Sequence, residues 1–137
     1  MNAVLQPAVT IEAFENATLD GDAFDHEAHI YTAWLYLQEW PLNEATQRIC
    51  SAIRRLTIKL GAETKYHETV TCFFMQLINQ RRIAATQSTW QAFRSENFDL
   101  ISGAGDTLNR YYSKDLLASD LARQHYLLPD KLDCADA

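Results

Sequence analysis

Three histidines carry the chemistry that this sequence offers. His26 and His29 stand three residues apart in FDHEAHIYTAWLYLQEW, and His67 stands in KYHET. Side chains at i and i+3 of a helix project from one face about a turn apart. The apolar pattern His26, His29, Ile30, Ala33, Tyr36, Leu37, Trp40 puts both imidazoles on the stripe that faces the core. His67 heads a second such stripe with Val70, Thr71, Phe74, Leu77 and Ile78. If the first and third long helices run parallel, all three imidazoles lie near the same end of the molecule.

Three imidazoles at one spot suit a single transition metal ion: iron, zinc, copper or nickel. With three protein ligands the remaining positions stay open to water or substrate, as in catalytic metal sites. Glu68 is then a fourth ligand or a general base. Asp25 and Glu27 flank His26, and Tyr66 adjoins His67. Neighbours on a helix point about 100° apart, so these residues orient the imidazoles rather than bind the ion. HEAH is not HExxH, which excludes the zinc-peptidase pattern. On this reading an enzyme would be a metal-dependent oxidoreductase or hydrolase acting on a small molecule. The competing reading is a metal-free binding or interaction module, with the histidines forming a polar pocket at one end of the bundle. His125, in RQHYLLP, reads as a surface residue or a cap of the last turn.

The elements that must position these residues are helical. Gly and Pro number only 4 and 3 in 137 residues, and periodic stretches run uninterrupted between them. Long helices are expected near residues 23–40, from Pro41 to Leu60 with Gly61 as the stop, and from Thr64 to Thr86. IEAFENATL predicts a short helix before them. STWQAFRSENFDLIS predicts one after them, capped by Ser88. SGAGD reads as a break, and further short helices start after Ser113 and Ser119. Short connections favour antiparallel neighbours. The expected fold is one all-α domain, an up-and-down bundle of three to four long helices with short flanking helices. Residues 1–8 and 131–137 read as flexible.

The formal net charge is −6. Basic pairs such as Arg54–Arg55 and Arg81–Arg82 are isolated, so nucleic acid is a poor partner. No stretch approaches the roughly 20 apolar residues of a spanning helix, and no signal-peptide pattern opens the chain. Cys50 and Cys72 sit in apolar helical contexts and Cys134 in a polar tail. Without paired spacing they read as reduced thiols, which predicts a cytoplasmic protein. As a thiolate Cys72 could ligate metal, but Phe73 and Phe74 beside it favour plain burial. Tyr31, Trp34, Tyr36 and Trp40 predict a central helix packed on two sides; a ligand pocket or a homodimer face is the alternative.

FDHEAHIYTAWLYL, KYHETVT and YYSKDLLASDLAR together resemble an uncharacterised family of small all-helical proteins with F-x-H-x-x-H…A-W-x-Y-L, K-Y-H-E-T and Y-S…A-R motifs. The resemblance spans about Phe14 to Pro129. It marks Phe24, His26, His29, Ala33, Trp34, Lys65, Tyr66, His67, Glu68 and Thr69 as motif positions, and it implies a site without implying an activity.

Overall fold

A computed structural model describes residues 11–15, 26–62 and 66–131. The described residues form helices and no strands. The order is α1 (Ile11–Glu15), α2 (His26–Glu39), α3 (Leu42–Lys59), α4 (Glu68–Ala84), α5 (Trp90–Glu96), α6 (Phe98–Ser102), α7 (Ala104–Asn109), α8 (Lys114–Leu117) and α9 (Asp120–Gln124). The three long helices α2, α3 and α4 all pack on one another, and the short helices wrap their flanks. The fold is the expected all-α bundle.

Helix α2 is the centre. Ala28, Ile30, Thr32, Ala33, Trp34, Tyr36 and Leu37 are all buried, so more than one of its faces is covered. Phe14 of α1 sits edge-on against Tyr36, with ring centroids 5.9 Å apart. The Tyr36 hydroxyl donates to Glu15 at 3.0 Å, and burial pushes the Tyr36 phenol pKa up. On another side, Tyr31 and Trp34 pack against Trp90 of α5.

Pro41 is the N-cap of α3, and Gly61 follows its C-terminus with φ +70°. That left-handed conformation suits glycine and reverses the chain. Helix α4 starts later than the sequence pattern predicts. His67 is its N-cap, in extended conformation, rather than an interior helical residue. The expected STWQAFRSENFDLIS helix is two helices, α5 and α6, and its N-cap is Thr89 rather than Ser88. SGAGD holds the expected break, one residue wide: α6 ends at Ser102, α7 starts at Ala104, and the non-helical Gly103 caps both. Ser113 and Ser119 cap α8 and α9, each accepting from the backbone N–H three residues on, as their spacing predicts.

Candidate functional site

His26 and His29 come together. Both line a cavity of about 110 Å3 between α2, α3 and α4, whose other walls include Ala33, Ile53, Phe74 and Ile78. His26 is the first residue of α2, and His29 lies one turn on. His26 is exposed and His29 half-buried, and with Thr71 they are the polar residues of an otherwise apolar lining. The Nε2 of His26 lies 2.8 Å from the Leu100 carbonyl. A carbonyl only accepts, so Nε2 carries the proton and Nδ1 is the acceptor nitrogen of the neutral ring. The His26 ring also meets Phe74 at 6.4 Å, close to edge-on.

His67 is placed differently and does not line that cavity. Its Nδ1 accepts from the Val70 N–H at 3.2 Å, capping α4. Its Nε2 lies 2.8 Å from the Leu117 carbonyl. Both ring nitrogens therefore serve backbone groups. An ion shared by His26, His29 and His67 would require His67 to give up at least one of these partners. The three histidines are not among the residues whose ligand atoms converge. Among the described residues that group is Cys50, Glu68 and Cys72, whose ligand atoms all lie within 4.8 Å of one another.

The motif around His67 fastens the C-terminal third of the chain. The buried Thr69 hydroxyl donates to the His125 carbonyl at 2.7 Å and accepts from the Leu127 N–H at 3.1 Å. With the bond from His67 to Leu117, His67 and Thr69, one position removed from each other, hold three points of the segment that carries α8 and α9. His125 is exposed and caps the end of α9.

Glu68 is drawn into the thiol cluster rather than toward the cavity. Its Oε1 accepts from Arg54 at 2.7 Å and from the Tyr66 hydroxyl. Its Oε2 lies 3.6 Å from Cys72 Sγ. Hydrogen bonds from Cys72 and Tyr66 draw the Cys50 thiol pKa down against its burial, while the bond to Cys50 holds that of Cys72 up. Burial and the bonds to Cys50 and Glu68 hold the Tyr66 phenol protonated. Glu27 pairs with Arg94 through two bonds of 3.0 and 3.2 Å, tying α2 to α5. Asp25 lies outside the described residues.

The sequence contains a signal for the thiol cluster. Cys50 and Cys72 each lie eleven residues from Gly61, and Arg54 and Glu68 each lie seven from it. In an antiparallel hairpin that turns at Gly61, equal distances from the turn put residues opposite each other.

No family model matches the chain, and neither a curated protein nor a solved structure shows significant similarity to it.

Proposed function

We propose that this protein is a small-molecule-binding helical bundle. Its ligand would be a single-ring apolar molecule bearing a hydroxyl group, held in the cavity that His26 and His29 line. The observation that carries this reading is the pairing of an apolar chamber with two imidazoles at one wall. An apolar cavity of about 150 Å3 in another protein stays dry and binds benzene, so about 110 Å3 is of the order of one small ring. A ring hydroxyl can donate to the acceptor nitrogen of an imidazole, and the apolar wall takes the ring. Sites of this kind are mostly apolar, with a few placed polar groups that fix orientation.

The position of His67 favours this metal-free reading over an ion held by three histidines, since both of its ring nitrogens are engaged by backbone. Among the described residues no helix is long and apolar enough to cross a membrane. The free thiols of Cys50 and Cys72 support a reducing compartment such as the cytoplasm.

The test is calorimetric titration with phenol and with toluene. Phenol should bind the wild type more tightly than toluene does. Ala33→Leu, which fills the chamber, should abolish both interactions while the protein remains folded. His26→Leu and His29→Leu should erase the preference for phenol and keep toluene binding. Equal binding of phenol by the wild type and Ala33→Leu would remove the cavity from the account.

A further inference from the structure

A second site lies where α3 meets α4. We propose that Cys50, Cys72 and Glu68 form a binding site for one divalent zinc ion, separate from the histidine cavity. Two thiolates and one carboxylate are a donor set that zinc accepts, and thiolates disfavour magnesium and calcium. Their ligand atoms lie within 4.8 Å of one another. Around a tetrahedral zinc with bonds of about 2.3 Å, neighbouring sulfurs stand roughly 3.8 Å apart. A small rotation of the side chains closes that difference.

The surroundings are already arranged for such an ion. Arg54 and Tyr66 both engage Oε1 of Glu68, which turns Oε2 toward Cys72. Oε2 is thus the oxygen that would reach the metal, and its partner oxygen is held from behind in the way that orients ligands in metal sites. The Arg54 guanidinium also lies over the Tyr66 ring, 5.0 Å from its centroid. Charge balances as well. Two thiolates and a carboxylate carry three negative charges, zinc carries two positive, and Arg54 supplies the third. A partly buried site that sums to zero avoids the cost of an uncompensated charge. Binding would release the thiol protons, one from each cysteine not already ionised, and form two Zn–S bonds and one Zn–O bond.

Access comes from a shallow hollow of about 500 Å3, whose walls include Leu42, Thr46, Cys72 and Tyr126. Water entering there would take the fourth position. Zinc at this point would clamp α3 to α4 across the turn at Gly61.

The experiment uses the full chain, without a histidine tag, reduced and stripped of metal. Cobalt(II) is added first as a spectroscopic probe, and then zinc competes against a chromophoric chelator. The expected result is one cobalt per chain, with sulfur-to-cobalt charge transfer in the near ultraviolet and intense visible bands of tetrahedral cobalt, both displaced by one zinc. Cys50→Ser and Cys72→Ser should lose the charge-transfer band. Glu68→Gln, which keeps both core thiols, should weaken zinc binding at least tenfold with an unchanged circular dichroism spectrum. His26→Ala should leave the spectrum intact. A reduced wild type without thiolate–cobalt bands would overturn the proposal. So would stoichiometric metal that survives Cys50→Ser and disappears in His26→Ala, which would return the ion to the histidines.

Discussion

At the scale of the residue, the motif histidines divide by role. His26 and His29 line a chamber, with one His26 nitrogen on the Leu100 carbonyl, whereas His67 uses both ring nitrogens on backbone. The sequence placed Ala33 and Phe74 on inward stripes correctly, because a 3.6-residue period reports which side of a helix is apolar. His26, expected on the same stripe, is the exposed first residue of α2. The pattern misread His67, because the same period extends into the residue that caps a helix, and histidine is not among the strongly preferred N-caps. A test separates capping from packing. His67→Asn retains a side-chain acceptor for the Val70 N–H but is too short to reach Leu117. It should destabilise the fold less than His67→Ala, with about 1 kcal/mol between them from the cap alone, as measured by urea denaturation. Thr69→Val keeps shape and removes the hydroxyl that satisfies His125 and Leu127. Leaving those partly exposed partners unpaired should cost about 1 kcal/mol, the low end for an unpaired group. Proteolysis near residues 125–131 should quicken in parallel.

At the scale of the element, the α3–α4 hairpin decides which residues meet. Gly61 turns the chain at φ +70°. A Cβ added there has no atom within 4 Å, so a substitution meets backbone strain and no clash. Gly61→Ala should therefore lower stability by about 1–2 kcal/mol, and Gly61→Asn by less, since asparagine tolerates the left-handed region better. Thermal melts of the three proteins check that order. The long helices were legible because proline and glycine punctuate them. The pairing of Cys50 with Cys72 was not seen as a site, because each cysteine alone looks like a small apolar core residue. Only their common distance from Gly61 joins them. The split of α5 from α6 escaped the pattern for a different reason. Helices of five to seven residues carry fewer than two full turns of periodicity, and tertiary packing sets their ends.

At the scale of the whole molecule, ion pairs tie the peripheral helices to the bundle. Glu27 holds α5 to α2 through Arg94, and Asp99 holds α6 to α4 through a two-pronged pair with Arg81 at 3.0 Å. The Arg81 guanidinium holds the Asp99 carboxyl below the usual carboxylate range. A depressed folded pKa adds stability above the unfolded value of about 3.9, and that stability is lost as pH falls through the lower folded value. Melting temperatures of the wild type and Asp99→Asn should therefore differ at neutral pH and converge in acid. The difference will be small because the pair is partly solvated.

The proposed ligand would sit in the chamber between the three long helices. The most direct test of that placement is methyl NMR of the isoleucine side chains during titration with phenol. Ile30, Ile49, Ile53 and Ile78 line the chamber, whereas Ile58 and Ile83 are exposed. Phenol bound in the chamber should give saturable shifts of the first four resonances, constant positions for the last two, and loss of the response in Ala33→Leu. Shifts confined to the exposed methyls, or an unchanged response in Ala33→Leu, would contradict that placement.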